Sequence, residues 1–370
     1  MSYDMIAESA ERLFSARVTK EVREAASQGA FPDDLWQAAA ESGFPLALCS
    51  ENSGGIAASW SDVFSIFRGL GYWQVPLPLA ETMIGGFLLS IAGIAVPAEP
   101  VTVVEAGPEL EFEQEPGKSA GSLSGTVLSV PWGRHCRWAL LSFSGIAPRT
   151  VRGSLVLVDL NQPDVLIGHH TNYAAEPLDT IEFRDAFVGT VFSNPLSGVT
   201  RPIFTLGALA YSAMISGAIE SALEQTLQYA RDRVQFGRPL SRFQVIQQSL
   251  AHLAGEAASV RMAVVTAFSE APNTTQRACP TLLFDTAVAK LLASEVASIA
   301  CSVAHQVHGA MGFTQEHPLH LATKRLWSWR ERFGSDAQWA DVLGKLAIGN
   351  GGKAFWTSLT SRFSHPTPGT

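Results

Sequence analysis

A chain of 370 residues, 46% apolar and 16% charged, is long enough to bury a large core in more than one layer. Its net charge of −8 argues against the basic face that nucleic acid requires, and the polar, acidic start Met1-Ser-Tyr-Asp-Met-Ile-Ala-Glu-Ser9 does not read as an export or membrane-anchoring segment. Cys49, Cys136, Cys279 and Cys301 are widely spaced, form no CxxC pair and lie near no histidine cluster, so they read as buried thiols rather than metal ligands or disulfides, and a cytoplasmic protein is predicted.

Residues 1–95 read as helical. Ile6, Leu13, Phe14 and Val18, then Leu35-Trp36, Ala39 and Phe44, recur at spacings near three and four. Pro32-Asp33-Asp34 starts a helix with acidic residues at its positive end, Gly43 stops one, and Ser50-Glu-Asn-Ser-Gly54-Gly55 is a loop. Two more helices are predicted near 58–71 and 80–93. The uncharged stretches Thr82 to Ala98 and Pro202 to Ile219 approach membrane-spanning length, but each carries glycine with serine or threonine and a proline at one end, as buried core helices do.

Between 96 and 200 the period changes to two. Val101–Glu105, Gly125–Val130, Trp138–Phe143 and Ser154–Val158 are β-rich and punctuated by turn residues, with Asp179–Val188 as a closing strand, so this part is predicted to be a small barrel or sandwich. From 201 to 362 the period is helical again, with long segments near 205–235, 242–269, 279–309 and 320–348 that suit a four-helix bundle. A tail, 363–370, with turn residues and no apolar face, is predicted to be disordered. The fold class is α+β, mainly α.

Two motifs stand out. Tyr229-Ala-Arg-Asp-Arg233-Val-Gln235-Phe236-Gly237-Arg-Pro-Leu-Ser-Arg-Phe243-Gln244 ends one predicted helix and starts the next, and Gln306-Val-His308-Gly309-Ala-Met-Gly312-Phe313-Thr-Gln-Glu316-His-Pro318 ends the third. A plain structural reading makes Gly237 a helix C-cap with arginines at the negative end of the dipole, and His308 a packed core residue. A guanidinium such as Arg233, however, is suited to phosphate oxygens, and glycines admit close approach of a ligand.

Together the motifs resemble those of acyl-CoA dehydrogenases. Leu35-Trp36-Gln-Ala-Ala-Ala-Glu41-Ser-Gly43-Phe44 and Glu51-Asn-Ser-Gly54-Gly55 resemble that family's N-terminal helical region. The resemblance implies an N-terminal helical domain, a middle β-barrel domain and a C-terminal four-helix bundle. It also implies that Arg233, Gln235, Phe236, Gln244, Gln306 and Gly309 bind the FAD of a neighbouring subunit: the arginine at the pyrophosphate, the phenylalanine beside the cofactor, and the glutamine and glycine at the adenosine end. An acyl-CoA substrate and an electron-transfer flavoprotein as acceptor are implied as well; no metal and no membrane is.

Two departures qualify it. The family's flavin-ring segment, Tyr-x-x-Thr-Glu-x-x-x-Gly-Ser-Asp, is not found between Phe87 and Leu123, where Pro97-Ala-Glu-Pro100 through Glu115-Pro116-Gly117-Lys118 stands instead. The family's catalytic glutamate position falls at Phe333, and the alternative one used by some members falls near Gly207. Neither side chain can take a proton. Glu331, Asp336, Glu220 and Glu224 flank these positions and read as solvated or ion-paired carboxylates beside Arg330, Arg332 or Arg231. Leu326-Trp-Ser-Trp-Arg330-Glu-Arg-Phe333-Gly334 resembles the subunit lacking the glutamate in heterotetrameric, steroid side-chain acyl-CoA dehydrogenases. That implies a chain without a catalytic residue of its own, sharing FAD with an unlike subunit that supplies the base. The alternatives are a homomeric flavoenzyme, using a displaced acid or acting as a flavin monooxygenase, and a flavin-free scaffold.

Overall fold

The computed structural model describes residues 3–114, 120–143, 153–275, 281–352 and 355–357. Cys279 and the tail 363–370 lie outside the described residues. Five helices come first: α1 (Tyr3–Arg17), α2 (Lys20–Ser27), α3 (Asp33–Glu41), α4 (Trp60–Tyr72) and α5 (Leu79–Ile91). Their starts follow local chemistry. Ser59 and Asp62 form a reciprocal capping box on α4, which satisfies two amide groups that the first turn leaves open. Every residue of α5 is buried, so the apolar run is a core helix, and Glu81 is the one charge it carries inward.

Eight strands follow: β1 (Val101–Glu105), β2 (Leu110–Gln114), β3 (Gly121–Pro131), β4 (Trp138–Phe143), β5 (Ser154–Asp159), β6 (Val165–Gly168), β7 (Leu178–Val188) and β8 (Thr190–Ser193). They form two four-stranded sheets, ordered β1-β4-β5-β8 and β2-β3-β7-β6, that close over one core containing Val104, Leu141 and Val156 from one sheet and Leu123, Ile181 and Phe183 from the other. β2, β6 and β8, which the sequence pattern did not single out, are all edge strands.

The C-terminal part contains α6 (Pro202–Asp232), α7 (Gln244–Ser269), α8 (Leu282–His308), α9 (Leu319–Trp329) and α10 (Asp336–Asn350). The fourth predicted helix, 320–348, is therefore two. Phe333 at φ 50° and Gly334 at φ 100° leave the helical region, and Ser335 with Gln338 caps the new start. α6 and the segment from Leu282 to Phe313 are long and apolar enough to cross a membrane, yet 94% of the apolar window of α6 is buried inside the protein. The start of α6 is held from the β domain: Glu105 accepts a hydrogen bond from the Phe204 amide at 3.2 Å and faces Arg201 at 3.4 Å. Burial pushes the Glu105 carboxyl up to about 7.

Candidate cofactor and catalytic site

The two motifs meet at one end of the bundle. Tyr229, in the last turn of α6, stacks on His308 in the last turn of α8 with ring centroids 4.3 Å apart, and its hydroxyl reaches the His308 carbonyl at 3.4 Å. Beneath this contact Ala230, Leu250 and Val307 form a small apolar cluster with Leu240, Ile246 and Val303, which locks the ends of α6, α7 and α8 together.

The sequence reading placed a helix end at Phe236-Gly237; the structure corrects this. α6 stops at Asp232, and Val234–Gln235 (β9) pairs with Arg238–Pro239 (β10) in a short hairpin. Phe236 and Gly237 are its two turn residues, at φ 50° and 78°, the pair of positive values a two-residue hairpin turn of right-handed twist demands. The turn aims Phe236 outward, 91% exposed, with only its edge near Phe243 at 6.2 Å between centroids. Arg233 and Gln235 are exposed, and among the described residues the Arg233 side chain has no hydrogen-bond or ion-pair partner. Gln244 opens α7 and is exposed, as is Gln306. Gly309 sits at φ 59°, ψ −140°, a conformation that requires glycine, with open space where a side chain would be. All six predicted residues thus lie exposed at one end of the bundle. Phe313, 73% exposed and stacked on His305 at 4.2 Å, extends the same face.

His308 behaves as core. It is 3% exposed, Nδ1 bonds to the Ala304 carbonyl at 2.8 Å, Nε2 has no partner, and burial lowers its pKa to about 4.

The two positions where the family carries its base also meet. The Phe333 ring lies on the bare Cα of Gly207, where a Cβ would fall 2.5 Å from the ring. Tyr211, one turn along α6, meets Phe333 edge to face at 5.3 Å and donates its hydroxyl to Glu81 Oε1 at 2.7 Å. Trp329 packs against Tyr211 and donates Nε1 to Glu176 at 2.8 Å, and Glu176 also faces Arg325 at 3.0 Å. Glu81 is wholly buried, and loss of solvation raises its pKa even with the tyrosine donor.

Lys290, which the sequence reading missed, holds the loop behind Phe333. Its side chain is fully buried in α8, and Nζ donates to the carbonyls of Arg330 at 2.6 Å and Gly334 at 3.1 Å and to Ser294 Oγ at 3.1 Å. Burial lowers its pKa to about 7. Glu81, Tyr211 and Glu176 were missed too. A lone charge inside an apolar helical run was the available signal at Glu81; Lys290, with Asp285 and Glu295 on the same helix, gave less of one.

The flanking carboxylates are engaged elsewhere. Glu331 lies 3.7 Å from Arg330, and Asp336 2.7 Å from the same guanidinium. Glu220 and Glu224 pair not with Arg231 but with α4: Glu220 with Arg68, and with Arg261 of α7 at 3.6 Å, and Glu224 with the Tyr72 hydroxyl.

These residues fit the two halves of a dinucleotide site unequally. The exposed face offers a guanidinium without a partner among the described residues, an outward aromatic ring and an open glycine, which suits a phosphate-linked cofactor. Inside, Arg332 reaches from the Phe333 loop to the Ser129 carbonyl of β3 at 2.9 Å, and the one hydroxyl of β1, Thr102, is buried and donates to the Pro131 carbonyl at 2.6 Å. Both side chains are committed to the protein.

The family described as "Acyl-CoA dehydrogenase, N-terminal domain" matches residues 2–93, and "Acyl-CoA dehydrogenase, C-terminal domain" matches residues 198–339. The chain belongs to the acyl-CoA dehydrogenase family, oxidoreductases acting on CH–CH bonds. Among similar proteins, the acyl-CoA dehydrogenase IpdE2 of Mycobacterium tuberculosis (strain ATCC 25618 / H37Rv) is 27% identical over 305 residues, 81% of this chain and 82% of that protein. The probable acyl-CoA dehydrogenase YngJ of Bacillus subtilis (strain 168) is 35% identical over 133 residues, 34% of this chain and 33% of its own. Among solved structures, a variant of the Tcur3481–Tcur3483 steroid acyl-CoA dehydrogenase superposes with a TM-score of 0.82 at 20% identity, covering 94% of this chain and 98% of that one. The ChsE4–ChsE5 complex of Mycobacterium tuberculosis does so at 0.77 and 19%, covering 93% and 96%. At these identities the likeness is one of fold.

Proposed function

We propose that this chain is the non-catalytic partner in an FAD-dependent acyl-CoA dehydrogenase built from two unlike subunits. The observation that carries the reading is the packing of Phe333 on Gly207, which fills both of the family's base positions with groups that cannot accept a proton. α,β-Dehydrogenation of a thioester requires a carboxylate to remove the α-proton, so the base comes from the partner subunit. FAD supplies the hydride acceptor when bound. This chain's contribution is to hold it from outside: Arg233 at the pyrophosphate, Phe236 beside the cofactor, and Gln235, Gln244, Gln306 and Gly309 around its remaining length. Their exposure supports the assignment: the aromatic ring stands out from the hairpin tip and the guanidinium at the hairpin base has no hydrogen-bond or ion-pair partner among the described residues. A bulky, steroid-type acyl-CoA is the proposed substrate, an electron-transfer flavoprotein the acceptor, and the cytoplasm the location. Relatives and neighbours whose names are acyl-CoA dehydrogenase, steroid acyl-CoA dehydrogenase or a two-component complex support this direction.

The experiment is flavin absorbance per chain, with dehydrogenase activity, for the protein purified alone and co-expressed with a glutamate-bearing acyl-CoA dehydrogenase subunit. Colourless protein alone, and about one FAD per unlike pair with activity in the complex, is the expected result. A yellow, active protein alone overturns the proposal.

A further inference from the structure

A second cleft lies between α2, the loop joining β6 to β7, and the start of α9, with a volume of about 540 Å³. It contains neither the Phe333 loop nor the hairpin. The chain as a whole carries −8, yet Lys20, Arg23, Lys324 and Arg325 line this cleft against Glu24 and Glu316. Glu24 is already used by Lys20, one helical turn away at 3.5 Å.

Two guanidiniums define the site. Arg23 reaches the Trp73 carbonyl at 3.4 Å and Gln74 Oε1 at 3.3 Å, both long, while its Nε is buried without an acceptor. No carboxylate forms an ion pair with it among the described residues. Burial, and then the positive charge of Arg325, lower its pKa. Arg325 is itself 5% exposed; it donates to the Leu321 carbonyl at 3.2 Å, and its Nε lies 3.0 Å from Glu176 in an ion pair. Glu176 divides its charge further, accepting from Trp329 and from Asn172 at 2.9 Å. Two partly desolvated like charges therefore line one cleft, and the carboxylate beside them is committed to Arg325, so the Arg23 charge is costly unless an anion completes it.

We propose that this cleft binds a small organic phosphate. A phosphoryl group presents several oxygens in different directions and can serve the guanidinium of Arg23, which has no carboxylate of its own among the described residues, and the rim charge of Lys324 together; a planar carboxylate matches one guanidinium at a time. The first turn of α9 adds its positive end to the same wall, and the volume is within the range of small-molecule pockets, roughly 300–1,000 Å³. The proposal is independent of the flavin assignment.

The test is calorimetric titration at low ionic strength with inorganic pyrophosphate and with ADP, on the wild-type protein in the oligomeric form in which it purifies. Saturable binding, weakened by salt, is expected. Tighter binding of ADP identifies a nucleotide-like phosphate as the source, and equal binding a free one; either upholds the site. Arg23→Gln is expected to weaken binding at least tenfold and Lys324→Gln several-fold, the latter at the rim where folding is not at stake. Arg233→Ala, on the hairpin, is expected to leave it unchanged. No binding, binding indifferent to Arg23→Gln and Lys324→Gln, binding lost in Arg233→Ala, or succinate competing as well as pyrophosphate would overturn the proposal.

Discussion

The ring of Phe333 rests on Gly207 with no room for even one methyl group between them. Gly207→Ala must displace that ring and is expected to destabilise the protein by about 1–3 kcal/mol. In a Phe333→Ala background the same change is expected to be close to neutral, since the added methyl enters the vacated space. Urea unfolding of the two single variants and the double variant gives the coupling directly. Strictly additive effects would show that the two residues do not share the site.

The hairpin is expected to behave in the opposite way. Phe236, 91% exposed, and Arg233 carry little of the folding energy, so Phe236→Ser and Arg233→Ala should change stability by less than about 0.5 kcal/mol. Flavin retained by the two-subunit complex should fall in both. Full flavin content in Arg233→Ala would remove the central support for a donated cofactor site.

Lys290 clasps a loop through its backbone. Lys290→Met leaves the Arg330 and Gly334 carbonyls without their donor, at a cost of about 2–4 kcal/mol at pH 7. The folded pKa, about 7, lies below the ordinary lysine value, so from pH 7 toward 10 the unfolded state binds the extra proton and the wild type gains stability as pH rises, by at most about 1.4 kcal/mol per pH unit. The variant lacks this slope. Parallel pH curves for the two proteins would refute the role given to the amine.

Acid acts through His308. With its folded pKa near 4 and the ordinary value near 6.5, the unfolded state takes up the proton first, so the His308 contribution is constant above about pH 6.5 and stability falls through it between there and pH 4. The slope is at most about 1.4 kcal/mol per unit. His308→Asn, which keeps a donor toward the Ala304 carbonyl, is expected to flatten this limb in thermal unfolding measured from pH 7 to 4.5. An unchanged limb would assign the acid sensitivity to other groups.

The sequence revealed those parts of the fold in which local chemistry and tertiary packing agree. β1 and β4 lie where the apolar alternation put them, and α6 and α7 begin at Pro202 and Gln244, close to the expected starts near 205 and 242. The edge strands β2, β6 and β8 were lost because one-sided pairing needs little pattern of its own. Phe236-Gly237 imitates a helix C-cap, glycine after a run with arginines, and only the two successive positive φ values identify a hairpin turn. The break before α10 has no proline to announce it. Arg233 and Gly309, singled out by their motifs, do come together on one exposed end of the bundle, where no core pattern competes with the surface signal. The Phe333–Gly207 contact could not be read, being made by two segments that meet only once α6, α8 and α9 have packed.

The path of residues 330–334 is set by main-chain atoms: Lys290 binds two of its carbonyls, and Ser335 begins the next helix at once. None of these anchors depends on which side chain stands at 333. On the proposed reading the frame that would present a base is intact and only the side chain it presents is wrong for the task, so activity and silence would differ at the scale of single side chains. A pair of related genes could divide one reaction between them by small steps, with neither product ever having to find a new fold.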